Sequence, residues 1–371
     1  MSFSVMVLKN LARRPIRTAL TLLGISIGIT TVVALGVVTS GLKDTAGEII
    51  RLGDADFMVA QDGAADLSFS IVAAEDVEKL ADYPEVERAE GMLFHIARVG
   101  SNPYFFLIGR RADDLAGNPP PLREGELWAA GAEDEILLGS RAADDLGAGV
   151  GDTVEIEDRE FRVSGIHQSG RLWEDGGAYA PLEVAQEIAG KSGVVTAVFV
   201  SVEQGANPAA VAAGIEEDFP NLATVTNVDD YAKVDQGIQT LDAVNIAISV
   251  LAVGIGAIGV MNTMVMSVLE RTREIGILRA VGWSGRRILR MIIAESLILC
   301  VLAAFVGAVL GILATRAILL IDTVSNLLEP QYTPEVFIRA LVVAVVVALV
   351  GAAYPAFRAV RLTPMEALRY E

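Results

Sequence analysis

The sequence predicts a membrane α-helical fold, with four transmembrane helices and a mixed α/β extracytoplasmic domain inserted between spans 1 and 2. Three observations lead there. The chain is 53% hydrophobic with mean hydropathy +0.48, yet its formal net charge is −18. That charge is segregated: residues 43–241 hold 14 Lys+Arg against 38 Asp+Glu, whereas the remainder carries 15 against 9. Four apolar runs, 18–42, 239–269, 291–315 and 336–357, match the roughly 20 helical residues that cross a ~30 Å hydrocarbon core.

The acidic middle argues against nucleic acid, which needs a cationic footprint. Cys300 is the single cysteine, so no intrachain disulfide can form. Five lysines beside 24 arginines, on an acidic chain rich in Ala, Val and Gly, resemble proteins of salt-loving archaea. A GC-rich genome encoding an acidic exported domain would leave a similar trace.

Residues 1–17 contain Lys9, Arg13, Arg14 and Arg17 but no acid, and Leu8, Leu11 and Ile16 suit a cytoplasmic amphipathic helix at the interface. Thr18–Leu42 then runs 25 residues without a charge. A signal peptide's apolar region is about 7–15 residues, so this is a first span. Gly24 and Gly28 form a GxxxG pair that lets another helix approach.

The helical pattern continues past the first span. Leu42, Ala46 and Ile49 keep one face apolar while Asp44, Glu48 and Arg51 take the other. Before the second span, Tyr231, Val234, Ile238 and Leu241 are spaced 3, 4, 3. Two such helices are expected to pack together as a stalk at the base of the domain 43–238. Within it, alternation predicts strands at 55–60, 88–99, 104–108, 135–138, 153–156, 161–166, 194–202 and 223–225. Helical periodicity predicts 73–83, 139–146, 182–188 and 208–219. The glycine-rich section 114–188 reads as an inserted β-rich subdomain.

Chemical motifs are sparse. His95 and His167 have no partners at metal-ligand spacing and read as satisfied or exposed imidazoles. The acid runs lack the order of a calcium loop. Ala185–Ser192, AQEIAGKS, only loosely matches a phosphate loop: it has one glycine and places Glu187 where phosphates would sit. The expectation is therefore no catalytic, metal or cofactor site in this chain.

Span 2 has Gly254, Gly256 and Gly259 to thin one face for packing, and Asn262 and Thr263 to hydrogen-bond inside the protein. Span 3 places Glu295 about one turn inside its entrance and a second GxxxG at Gly307 and Gly311. An outer loop, 316–335, leads to span 4, with Arg339 near one end and Pro355 near the other, and then a tail, 358–371.

The connector 270–290 has six arginines, and Ile275, Leu278 and Val281 recur at i, i+3 and i+6. That predicts a two-turn helix over Glu274–Val281 with one apolar stripe. Gly282 suits the left-handed position beyond it, and Ser284 an N-cap for the next helix. Spacing alone leaves two readings: a helix resting in lipid headgroups, or a knob docked into a soluble partner. The N-terminal arm (+4), connector (+4) and tail (+1) are all basic. The positive-inside rule places them, and both termini, in the cytoplasm beneath the plasma membrane.

Three stretches carry a resemblance: NLARRPIRTALTLLGISIGI (Asn10–Ile29), NTMVMSVLERTREIGILRAVGWSGRRILRMIIAES (Asn262–Ser296) and GAAYPAFRAVRLTPMEALRYE (Gly351–Glu371). With EDEILLGSRAADDLGAGVGDTVEI and GGAYAPLEVAQEIAGKSG between them, the chain resembles the MacB/FtsX-type (type VII) permeases of ABC transporters, lipoprotein-release permeases included. The resemblance implies that Glu274–Val281 is a coupling helix seated in a cytoplasmic ABC ATPase. Ile275, Gly276, Leu278, Arg279, Val281 and Gly282 would form the contact surface, and Arg271, Arg273 and Glu274 would hold the helix against its own neighbours or the partner's edge. It further implies two permease copies, this chain twice or with a close paralogue, and two ATPase copies that bind the ATP and Mg. The stalks would transmit ATP-driven movement to the outer domains, a mechanotransmission that exports or extracts substrate at the outer face. Without a fused ATPase in these residues, the ATPase is expected as a separate chain. Trp283 departs from the small residue many members place there. The rival is a non-transporting transmitter that switches an extracellular partner such as a hydrolase. Lipid, lipoprotein, peptide and drug all stay open as substrate.

Overall fold

A computed structural model describes residues 15–100, 102–129, 131–320 and 329–361. The expected helix over 1–17 therefore lies mostly outside the described residues, as do much of the outer loop and the tail beyond Arg361. The described residues form two compact units: 15–40, 242–318 and 330–361 in one, and 41–241 with residues 319, 320 and 329 in the other.

Helix α1 runs unbroken over Pro15–Ile50. Its end, from Gly41 to Ile50, belongs to the second unit, whose frame is a ten-stranded sheet. The strands are β1 (Phe57–Gln61), β2 (Val72–Ala73), β3 (Val86–Val99), β4 (Asn102–Arg110), β5 (Leu122–Gly125), β6 (Glu135–Gly139), β7 (Thr153–Ile156), β8 (Arg159–His167), β9 (Ala178–Pro181), β10 (Val194–Val195), β11 (Ala197–Val202) and β12 (Leu222–Val225). The order is β12-β1-β11-β3-β4-β9-β6-β8-β5, with β7 on β8, while β2 and β10 pair separately. Interleaved are α2 (Ala74–Ala81), α3 (Ala112–Gly117), α4 (Ser140–Leu146), α5 (Leu172–Asp175), α6 (Leu182–Ala189) and α7 (Pro208–Asp218).

The central strands of the sheet are buried on both faces, and the period of two sorts their residues. Phe57 and Val59 face the core shared with α2, α4, α6 and α7, whereas Met58 and Ala60 face the core shared with the end of α1. The same alternation splits Leu93 from Phe94, Leu107 from Ile108 and Val198 from Phe199. One expectation is corrected. Section 114–188 is no separate subdomain, because β9 pairs in parallel with β4 from Leu107–Ala178 to Arg110–Pro181, and both cores run across that seam. The AQEIAGKS stretch lies on α6, which ends at Gly190 in the left-handed conformation (φ 65°).

Helices α8 (Gln236–Glu270), α9 (Thr272–Ala280), α10 (Gly285–Ile318) and α11 (Pro334–Arg361) complete the chain. α1, α8, α10 and α11 are each long and apolar enough to cross a membrane. Their shared core comprises Ile25, Ile29 and Val33, Val260 and Met264, Leu299 and Ala303, and Ala344 and Val347. Ile255, Phe305 and Val350 point outward, which suits hydrocarbon as the surrounding solvent.

Candidate functional site

The basic connector folds as the short helix α9. Two bonds terminate it: Trp283 N–H donates to Leu278 O (3.0 Å) and Gly282 N–H to Arg279 O (3.1 Å). With Gly282 at φ 97° this is a Schellman closure, which the absence of a Cβ makes inexpensive. Ser284 directly precedes α10, and its carbonyl accepts from Arg287 N–H at 2.9 Å. At the other end, Thr272 Oγ1 donates to Leu269 O (2.8 Å), tying the first turn to the end of α8.

Burial divides the expected apolar stripe. Ile275 is 2% exposed and packs with Val268, Ile288, Met291, Ile292, Ala356 and Ala359, and Gly276 is buried beside it. Leu278 and Arg279 are half-buried, while Val281 is 76% exposed. The correction is that Ile275 and Gly276 belong to the helix's own seat and not to an outward contact surface. The residue that sequence reasoning missed is Ile277, 48% exposed and one turn before Val281. The outward apolar pair is therefore Ile277 and Val281, with Arg273 and Glu274 exposed on the same short helix.

Arg271 fastens the seat. Its Nη1 donates to Glu295 Oε1 (3.0 Å) and Oε2 (3.2 Å), and its Nε donates to Glu274 Oε2 at 3.3 Å. Glu295 is 3% exposed, so this guanidinium neutralises a buried carboxylate on α10 while gripping the first turn of α9. Arg17 Nη1 likewise meets Glu270 Oε1 at 3.1 Å.

The expected stalk residues converge in the second unit. Ala46, Ile49, Tyr231, Val234 and Ile238 share one core, with Leu42 and Leu241 at the edge of a cavity nearby. They do not form two paired helices. Tyr231 lies in a 3₁₀ turn, Asp230–Lys233, and Val234 closes it. Asp235 Oδ1 then accepts from Gly237 N–H (2.8 Å) and Ile238 N–H (3.3 Å), so α8 starts only at Gln236. Glu48, assigned to a solvated face, instead accepts from Trp173 Nε1–H at 3.1 Å, and burial raises its carboxyl above the ordinary range despite that bond.

Among the span glycines, Gly28, Gly256, Gly307 and Gly311 meet neighbouring helices. A Cβ at Gly307 would stand 2.8 Å from Ser26 O, and one at Gly311 2.8 Å from Val33 Cβ. Gly24, Gly254 and Gly259 have nothing within 4 Å among the described residues. Gly36 and Gly351 make close contacts that the spacing did not single out. Thr21 and Thr263 hydroxyls bond each other at 2.6 Å, whereas Asn262 is exposed beside them along a cleft.

His167 departs from the satisfied imidazole expected. It is fully buried, neither ring nitrogen has a hydrogen-bond partner among the described residues, and Nδ1 stands 3.8 Å from Asp175 Oδ1. Burial pushes its pKa below the usual histidine value, against the pull of Glu174 and Asp175. No group of three metal-ligating side chains converges among the described residues.

Residues 18–218 match the family described as MacB-like periplasmic core domain, and residues 246–364 match the FtsX-like permease C-terminal family. An uncharacterised ABC transporter permease of Methanocaldococcus jannaschii is 32% identical over 235 residues, covering 60% of this chain and 58% of the relative. The macrolide export ATP-binding/permease protein MacB of Nitrobacter winogradskyi is 27% identical over 395 residues, 96% of this chain and 58% of its own. The pyoverdine export ATP-binding/permease protein PvdT of Pseudomonas entomophila is 27% identical over 380 residues, 96% and 57%. The chain thus spans less than two thirds of the length of these relatives.

Proposed function

The chain belongs to the MacB/FtsX-type family of ABC transporter permeases, and from that premise we propose that it is a permease subunit driven by a separate cytoplasmic ABC ATPase. It is a multi-pass membrane protein with an extracytoplasmic domain. The ATPase holds ATP and Mg, engages the connector from the cytoplasm, and works on two permease copies that export or extract a substrate by mechanotransmission. Both chain termini lie in the cytoplasm on this reading, and the acidic, lysine-poor surface is an adaptation to concentrated salt.

The observation that supports coupling at α9 is its two-sided construction. Ile275 and the Arg271–Glu295 ion pair seat the helix, leaving Ile277 and Val281 as an exposed apolar pair at i, i+4. An exposed pair on a rigidly seated, basic-flanked helix is a surface for a partner, where burying one aliphatic anchor contributes about 1.5–3 kcal/mol. Gly24, Gly254 and Gly259, unopposed among the described residues, favour a second copy as the neighbour of α1 and α8.

The test is co-purification with the ATPase and stimulation of its turnover. Val281→Asp and Ile277→Asp should each weaken association about ten- to a hundredfold while leaving the permease folded, because both side chains are exposed. Normal association and stimulation by both variants would remove α9 as the coupling element.

A further inference from the structure

The second unit contains a cavity of about 300 Å³ that nothing above has put to use. Leu42, Thr45 and Ile49 of α1, Ile238 and Leu241 of α8, and Phe94, Phe106, Tyr104 and Tyr231 supply an aliphatic and aromatic wall. Ile96 and Tyr104, 38% and 45% exposed, lie at its open side. Against this apolar lining stand two carboxylates, Asp66 and Asp235.

Both carboxylates are oriented by their own backbone. Asp235 Oδ1 accepts from Gly237 and Ile238 N–H, and Asp66 Oδ1 from Ser68 N–H (2.8 Å) and Ser68 Oγ (2.5 Å). In each, Oδ2 has no hydrogen bond among the described residues. Asp235 is 8% exposed, and burial, reinforced by the neighbouring Asp66 charge, raises its carboxyl above the ordinary range. Lys191 interacts electrostatically with Asp66, but its Nζ donates to Ser68 O and lies 5.9 Å from the Phe69 ring centroid. His95, also on the wall, is half-buried and held below its usual pKa by desolvation. The lining therefore remains net negative.

Two part-buried carboxylates cost free energy that an incoming cation would offset, and aromatic faces attract the same cation through their quadrupoles. An apolar wall of this size takes the rest of such a ligand out of water. We propose that this cavity binds an amphiphilic organic cation, with its ammonium head between Asp66 and Asp235 and its apolar body against Ile49, Phe94, Phe106 and Leu241. The assignment of that cation as cargo rests on the export reading; binding itself does not.

The test uses the full chain in nanodiscs of zwitterionic phospholipid, titrated with benzyltrimethylammonium and read by saturation-transfer NMR against empty discs. Its neutral carbon isostere, neopentylbenzene, is titrated in parallel. Saturable binding of the cation, at least tenfold tighter than that of the isostere, is expected. Asp66→Asn and Asp235→Asn keep an acceptor for each backbone N–H and should retain the thermal midpoint while weakening cation binding at least fivefold each. Equal affinity for the neutral isostere, no saturable cation binding, or wild-type binding by both Asn variants would each overturn the proposal. Val281→Asp should bind the cation normally, so a failure of ATPase coupling and a failure of the cavity give different results.

Discussion

His167 and Arg271 show how differently a buried polar side chain can be accommodated. Arg271 meets both oxygens of Glu295, so its charge is matched where it lies. His167 has no hydrogen-bond partner among the described residues and is held neutral by burial. Its folded pKa is lowered, so the unfolded chain binds the extra proton first as pH falls. Stability from this site is full above the unfolded value of ~6.5 and is lost as pH falls from there toward the lowered folded pKa, by at most ~1.4 kcal/mol per pH unit. Thermal melts of the full chain at pH 7.5, 6 and 5 should show a falling midpoint, and His167→Leu should flatten that slope. An unchanged slope in the variant would assign the acid sensitivity elsewhere. The surroundings of His167 were not legible in the sequence, because they come from strands and turns distant along the chain; a holding role for Arg271 was expected, but its pairing with Glu295 was not. In contrast, Gly282 was legible, since a glycine after an apolar periodic run has few other reasons to be there.

At the scale of elements, local chemistry announced itself and burial did not. The end of α9 follows from Gly282, and the strands of the sheet follow from alternation as clear as that of Phe57 to Ala60. Which side of α9 turns inward depends on Val268, Ile288, Met291 and Ala356, brought from three other helices. With Ile275, Ile277 and Leu278 all apolar, spacing could not choose among them. The stalk failed for another reason: the 3, 4, 3 spacing runs through a 3₁₀ turn into α8, and the Asp235 cap outweighs it. Strand β5 is exposed along its whole length and has no alternation to read. The prediction at this scale concerns α1 and α10, where Gly307 admits the Ser26 carbonyl. Gly307→Val should separate the two helices and cost roughly 1–3 kcal/mol. The readout is a lower melting temperature in detergent, with Gly24→Val, which faces open space, as the control that should melt like wild type.

For the whole molecule, the segregated charge and the continuous sheet matter together. Residues 43–241 carry a net −24 in one compact unit built on a continuous sheet, so their repulsion acts against that unit. Raising ionic strength from about 0.15 to 1 M shortens the Debye length from ~8 to ~3 Å. The melting temperature of the full chain should therefore rise with KCl, by about 2–4 °C for each kcal/mol of repulsion screened. A flat or falling midpoint would remove salt adaptation as the meaning of the acidic surface. The four apolar helices and the acidic insertion were plain from composition. The seam between β4 and β9 was not, because parallel pairing joins segments about 70 residues apart and leaves no local mark.

The two hydroxyls on α1 bear on how such a bundle can be driven. Ser26 Oγ donates to Ala303 O at 3.0 Å and Thr30 Oγ1 to Gly307 O at 3.2 Å, each a turn apart on both helices. Two rungs at matching height lock the parallel rods against both rolling and creep. On the mechanical reading proposed above, a push delivered to either would be shared by its mate, and the pair would travel as a single beam.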